Sequence, residues 1–448
     1  MTLLPALPAP GAYEVTGEGH LPSAFAVSDL AERSVAAVGL ELARLIEALN
    51  MAPRAPEVTV DRRLASLWFG FSFAPEGWQM PGPWDPLAGV YRTSDGSIRL
   101  HTNLPAHRAA ALRVLGCAPE KATVTEAARG WQADALEAAI LEQGGAAAAL
   151  RSRAEWLAHP QGKAVAAEPL IHRVNPRQIR LRHRPEATAA RPLAGLKVLD
   201  LTRVLAGPVS TRTLAGFGAE VLRIDPPGWD EPGVIPDTSL GKRMAALDLT
   251  APAGRARFEA LLAEADVLVH GYRPGALEGL GYGEDTRRRI APDAVEVTLD
   301  AYGWTGPWAR RRGFDSLVQM SCGIADQGRV WAGTDGPVPL PVQALDHATG
   351  WLMAAAVLSA LTAAARGAPV PVAKLSLART AEELAALDGS HESPEISPAA
   401  PADYADTVEH TSWGPGRRLR PPLVLADTAL HWERPATACG SAPPEWAE

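Results

Sequence analysis

Residues 343–358 read QALDHATGWLMAAAVL, so a carboxylate and an imidazole, Asp346 and His347, stand directly before a long apolar run. A carboxylate at the start of a helix has two readings. It can be a cap that accepts a backbone N–H and offsets the helix dipole. It can also be a nucleophile. The positive end of the helix would keep it ionised, apolar neighbours would strip its water, and free N–H groups there would hold a developing oxyanion. The tetrad alone leaves both open, and the two are compatible. His347 would steady Asp346 or, more simply, help to close the turn.

The elements that would position this acid follow a clear alternation. Residues 197–201 (KVLDL), 220–224 (EVLRI), 267–271 (VLVHG) and 294–301 (AVEVTLDA) read as short apolar strands. Between them, 210–219 and 251–265 read as helices, the second with Phe258, Leu261 and Leu262 on one face. Strands alternating with helices at this spacing predict a doubly wound parallel sheet. The stretch after Asp346 is apolar nearly all round, as a helix buried on most sides must be. Residues 371–387 then read as a strand turning into a helix. The loop TRVLAGP at 202–208 lies at the carboxyl end of the first strand, where open α/β sheets bind ligands.

Composition narrows the function. The 448 residues suffice for two or three domains. A net charge of −8 argues against a general grip on nucleic acid. Cys117, Cys322 and Cys439 are odd in number and far apart, which fits neither a disulfide framework nor a zinc site. The N-terminus has no basic region followed by an apolar core, and the apolar run at 351–365 is shorter than the ~20 residues that span a bilayer. These features predict a soluble, cytoplasmic protein without a metal site or membrane partner.

A weak internal repeat is visible. Residues 27–49 resemble 344–364, with Asp29 opposite Asp346, and 56–68 resemble 370–384. The basic, then Ala/Pro-rich segment 181–194 reads as a linker. The expected organisation is therefore 1–180, a linker at 181–194, a sheet domain at 195–390, and a tail with closing strands at 391–448.

Four blocks in order make this chain resemble the class III CoA-transferases, the family of formyl-CoA transferase, carnitine CoA-transferase and α-methylacyl-CoA racemase. They are residues 193–227, 241–283, 302–323 and 345–361. Residues 85–116 and 154–171 resemble that family's small domain and late segment, and 413–432 its closing strands, but the order is rearranged. The resemblance implies a Rossmann-like parallel sheet domain and a smaller mixed α/β domain. It implies transfer of coenzyme A between carboxylic acids through an aspartyl anhydride on Asp346, matched by the D-x-x-x-G step to Gly350. Coenzyme A thioester is then a substrate, with no permanently bound cofactor. The partners are an acyl-CoA and a carboxylic acid. The family's interlocked dimers imply a homodimer or, with 25–180 supplying the small domain, a single-chain pseudo-dimer.

The same resemblance assigns further residues. Arg203, Val204, Leu205 and Ala206 would approach the thioester. Leu247 and Asp248, with Gly271, Tyr272, Arg273 and Pro274, would cradle adenine and phosphates, Tyr272 by stacking and Arg273 by pairing; otherwise Arg273 is a surface arginine. Asp315 would stand near Asp346 or cap a helix. Departures are also plain. Leu205 replaces the glutamine of formyl-CoA transferase, and Phe314 replaces the racemase's histidine, which disfavours racemisation. Thr250 and Gly279 stand where relatives carry Lys and Arg. The runs Arg287–Arg289 and Arg310–Arg312 could compensate, although solvated charge runs are the simpler reading. No glycine run resembles the mobile lid of formyl-CoA transferase. The alternatives to a transferase are a catalytically silent CoA-binding or partner subunit, and an acyl-CoA racemase or isomerase.

Overall fold

The computed structural model describes residues 6–389 and 393–447. Its centre is a seven-stranded sheet built from β1 (His172–Arg177), β2 (Lys197–Leu201), β3 (Glu220–Asp225), β4 (Lys242–Ala246), β5 (Val267–His270), β6 (Val295–Asp300) and β7 (Val370–Ser376). The order is β4-β3-β2-β5-β6-β7-β1. All neighbours are parallel except β1, which closes the edge antiparallel to β7. The four strands read from the sequence are all present, with β2 lying between β3 and β5 in parallel register.

The strands are apolar on both faces because both are covered. Leu199, Leu201, Leu222 and Leu268 pack against Phe258, Leu261 and Leu262 of the helix Pro252–Glu264. The alternate residues Val198, Val221, Val267 and Val297 join a second, larger core. That core contains α1 (Val27–Ala48), α2 (Ala206–Gly216), α3 (Asp315–Ser321), α4 (Ala344–Ala365) and α5 (Leu377–Ala386). In α4 every residue from Ala344 to Ala363 is buried, enclosed by α1, α2 and the sheet. By length and composition α4 could cross a membrane, yet it is the core helix of this fold.

The N-terminal residues do not stand apart. Helix α1 lies along α4, and both have 22 residues. They begin alike: Ala26 (φ −74°, ψ 60°) and Gln343 (φ −76°, ψ 64°) make the same tight turn, Val27 N–H to Phe25 O and Ala344 N–H to Val342 O, both 2.8 Å. The third residue of each helix is an aspartate, Asp29 or Asp346. Each helix is followed by a strand and a helix capped by the strand's last residue, Asp61 accepting from Leu64 N–H and Ser376 from Arg379 N–H. The repeat read from sequence is thus a repeat of structure.

Short strands tie the chain ends together. Val58–Asp61 pairs with Glu14–Thr16 and Leu423–Leu425, and Phe73–Pro75 pairs with Gly414–Leu419. Residues 85–150 form a smaller unit with its own core. Its sheet of Gly89–Arg92, Ser97–Leu100 and Ala147–Ala149 packs with three helices between Pro105 and Glu142.

Candidate active site

The loop between β2 and α2 is held by buried charge. The Asp200 carboxylate accepts the Thr202 N–H (2.8 Å), the Thr211 hydroxyl (2.5 Å) and Lys242 (3.1 Å). Burial lowers the Lys242 amine to about 8, and the facing Asp200 opposes that shift. A side chain at position 207 would collide with Thr202, so glycine is required there. Val204 adopts φ +66°, a strained conformation for a β-branched residue, and its N–H donates to Glu231 at 2.8 Å. The following N–H groups of Ala206 and Gly207, at the start of α2, have no acceptor among the described residues.

Gly350 brings this loop against α4. A Cβ there would strike the Ala206 carbonyl oxygen and come within 2.8 Å of Val209 Cβ. The D-x-x-x-G step therefore has a geometric meaning. Glycine one turn after Asp346 lets the amino end of α2 reach the first turn of α4.

Asp346 is not the helix cap. The cap position belongs to Gln343, which makes no side-chain capping bond. Asp315 does the capping instead: its Oδ2 accepts the N–H groups of Leu345 (2.9 Å) and Asp346 (3.0 Å), while Gln319 donates to its Oδ1. This corrects two expectations. The amides at the start of α4 are not free for an oxyanion, because an acid 31 residues earlier occupies them. Nor does the helix end lower the Asp346 carboxyl. Burial, and then the charge of Asp315, push the Asp346 carboxyl well above the usual range. Burial raises Asp315 to about 6, and the N–H groups it accepts oppose that rise. Both acids are thus shifted upward, and the backbone N–H and Gln319 donors favour the charged form at Asp315 rather than at Asp346. The Asp346 carboxyl itself, 8% exposed, has no hydrogen-bond or ion-pair partner among the described residues.

Asp346 opens into a cleft of about 490 Å³. One wall comes from Val204, Leu205, Asp230–Val234, Phe314–Ser316, Pro341–Gln343, Asp346 and His347, the other from Phe69–Phe71, Gly82–Asp85, His101, Asn103 and Leu104. The loop at 82–83 abuts Gly233. His347 stacks on Phe69 at 5.3 Å, and burial lowers it to about 3. His101 stacks face to face on Phe314 at 3.7 Å and is likewise lowered to about 3 by burial. An imidazole therefore stands beside Phe314 after all, contributed by a distant segment. Trp84, His101, Phe69 and Phe71 carry no motif, and nothing in the sequence singles them out.

Arg203, next to the lining residue Val204, lies between two rings, 4.2 Å from Trp229 and 5.0 Å from Tyr272, and it donates to the Tyr272 hydroxyl at 2.9 Å. Burial raises the Tyr272 phenol. Asp248, after β4, accepts from the Thr250 N–H and hydroxyl and is fully exposed. The arginine runs are not plain solvated faces. Arg287 is buried against Glu296, Arg288 pairs with Glu284, and Arg311 is buried against Glu137 and stacked on Trp308. Arg310, by contrast, covers Gly275, and Arg312 is close enough to Arg273 that the two charges repel. Arg273, Arg310 and Arg312 thus gather at Gly271–Gly275.

Residues 193–397 match the model of the family described as CoA-transferase family III. This segment belongs to CoA-transferase family III. The six parallel strands β2–β7, the loop at 202–208, Asp315 and Asp346 all fall inside the family segment, whereas the edge strand β1 and the second cleft wall fall outside it. Among curated proteins, the acetyl-coenzyme A transferase nodX of Hypoxylon pulicicidum is 38% identical over 38% of this chain and 30% of its own length. The probable fatty acyl-CoA transferase Rv3272 of Mycobacterium tuberculosis is 32% identical over 43% of this chain and 52% of its own. The succinyl-CoA:glutarate CoA-transferase of Mus musculus is 32% identical over 40% and 44%. The chain thus spans about half or less of the length of these relatives. The crystal structure of Rv3272 superposes with a TM-score of 0.41 at 34% identity, covering 44% of this chain and 56% of that one.

Proposed function

We propose that the chain transfers coenzyme A between carboxylic acids, with Asp346 as nucleophile. The observation that supports this most is the state of Asp346: an acid without a partner among the described residues, lining a cleft inside a CoA-transferase family III segment. The ionised fraction of Asp346 attacks: a carboxylate oxygen bonds to the thioester carbonyl carbon, the C–S bond breaks, and CoA leaves as the thiolate. The mixed anhydride is close in energy to the thioester, and the second acid takes the CoA by the reverse steps. The developing oxyanion finds donors at Ala206 and Gly207 rather than on α4. Asp315 holds the turn that carries Asp346 and sets its charge state. Arg203 and Tyr272 meet the pantetheine side, and Arg273, Arg310 and Arg312 take the phosphates in place of the missing Lys and Arg. Because both cleft walls belong to one chain, the single chain carries a complete site.

Hydroxylamine added during turnover with an acyl-CoA donor tests this reading. The expected product is a hydroxamate on the peptide containing QALDHATG. Turnover without that adduct, or with the adduct on another acid, sinks the assignment. A second reading, an acyl-CoA isomerase, is favoured by one observation: an imidazole, His101, lines the cleft against Phe314, although burial makes it a weak base for an α-carbon proton. Deuterium wash-in at that carbon without CoA exchange would select it.

A further inference from the structure

The cleft's charges constrain its acyl group. Five carboxylates line it: Asp85, Asp230, Glu231, Asp315 and Asp346. Among the described residues, none that lines it is Lys or Arg. Two of these acids are paired, with cations that stand behind the wall. Arg108 pairs with Asp85 at 3.3 Å, and Arg223 with Glu231 at 2.8 Å. Arg99 covers the Trp84 ring at 4.8 Å without itself lining the cleft. The lining histidines, His101 and His347, are buried and neutral. The rest of the lining carries no charge: three polar side chains, Asn103, Ser316 and Gln343, and an apolar set that includes Phe69, Phe71, Trp84, Leu104, Phe314 and Val342.

We propose that this cleft takes apolar monocarboxylic acyl groups, aromatic or branched aliphatic, and excludes those bearing a second carboxylate. The proposal rests on the transferase reading and specifies its substrate class. A second carboxylate inside would lose its water, meet aromatic rings and other carboxylates, and find no cation to pair with. An aryl or branched alkyl group would fill the space between Trp84, Phe71 and Phe314.

Two measurements on the intact wild-type protein test this. The first is thiol release from phenylacetyl-CoA and isovaleryl-CoA against succinyl-CoA and glutaryl-CoA, with hydroxylamine as the final acceptor. The apolar donors should exceed the dicarboxylic ones in kcat/KM by at least about 100-fold. The second is calorimetric binding of unreactive thioether analogues, phenethyl-CoA against 3-carboxypropyl-CoA, where the apolar analogue should bind at least about 30-fold more tightly, taking a hydrophobic pocket's discrimination as the guide. Val342→Arg, which places a cation in the wall, should shift both ratios toward the dicarboxylic compounds. Equal use, equal binding, or no binding of either analogue overturns the proposal. Thiol release from no donor, with the binding preference intact, would reject the transferase reading and leave the substrate class standing.

Discussion

Asp315 reaches across 31 residues of sequence to accept the backbone N–H of Asp346 at 3.0 Å, so the helix end beneath the candidate nucleophile already holds an anion. Removing that charge while keeping the acceptor should lower the Asp346 pKa. In Asp315→Asn the acidic limb of the kcat/KM profile should move to lower pH, since the buried negative neighbour that raises Asp346 is gone. Asp315→Ala differs: it strands two buried N–H groups, at a cost of about 2–4 kcal/mol in denaturant unfolding. A limb that stays in place in Asp315→Asn would mean the two acids do not share a titration.

Asp346→Asn should abolish transfer, by several orders of magnitude, and leave the fold more stable rather than less. The sign follows from the raised carboxyl. A folded acid that holds its proton more tightly than the unfolded chain does loses stability as pH rises through its folded pKa. The neutral amide removes that loss, and no capping bond is given up. A gain of about 0.5–2 kcal/mol above neutral pH, shrinking toward pH 4, is expected from chemical denaturation. A loss of stability at pH 8 would contradict this account of the acid.

Gly350→Ala introduces a methyl group against the Ala206 carbonyl and Val209. Helix and loop must separate, at about 1–3 kcal/mol of overpacking. Because the displaced atoms carry the unpaired N–H groups, kcat should fall more than KM rises. Displacement of about 1 Å can cost ~10²-fold. Equal kcat at lowered thermal stability would remove the loop from the chemistry.

Replacing Arg273, Arg310 and Arg312 together by Gln should raise KM for acyl-CoA about tenfold with little change in kcat. It should also erase any preference for CoA over 3′-dephospho-CoA. The wild-type KM should climb with salt and the triple variant's should not. Unchanged KM would return the three arginines to ordinary surface.

Asp29 occupies the place of Asp346 in the first repeat, but Arg62 neutralises it at 3.0 Å. Asp29→Asn should leave turnover within about twofold and cost at most about 1 kcal/mol of stability, as for a partly exposed pair. A tenfold loss, ~1.4 kcal/mol in barrier, would give the first repeat a catalytic part.

Local pattern carried much of this into view. The strands of the sheet, the helices between them and the repeat follow from periodicity, and the loop after β2 from its place at a strand end. Strand β4 carries Lys242 and Arg243, polar at positions where its neighbours are apolar, and it escaped the reading. The cap of α4 stayed open in the sequence because cap rules look within four residues, whereas its acceptor, Asp315, belongs to another helix. The arginine runs illustrate the same limit. Arg287 and Arg311 are consumed by Glu296 and Glu137, which nothing nearby announces. The second cleft wall was invisible for a simpler reason: aromatic side chains in Pro/Gly-rich loops have no period.

The pairing of α1 with α4 also sets a timetable for synthesis. Helix α1 is buried at sixteen positions, largely against a helix that ends 317 residues later. At roughly 5–20 residues per second, the first helix leaves the ribosome about 15–60 seconds before its partner exists. Through that interval its apolar stripe has no native surface to cover it. The nascent chain should therefore lean on chaperones that hold exposed helices, and truncated products ending before residue 344 should aggregate instead of persisting as folded fragments.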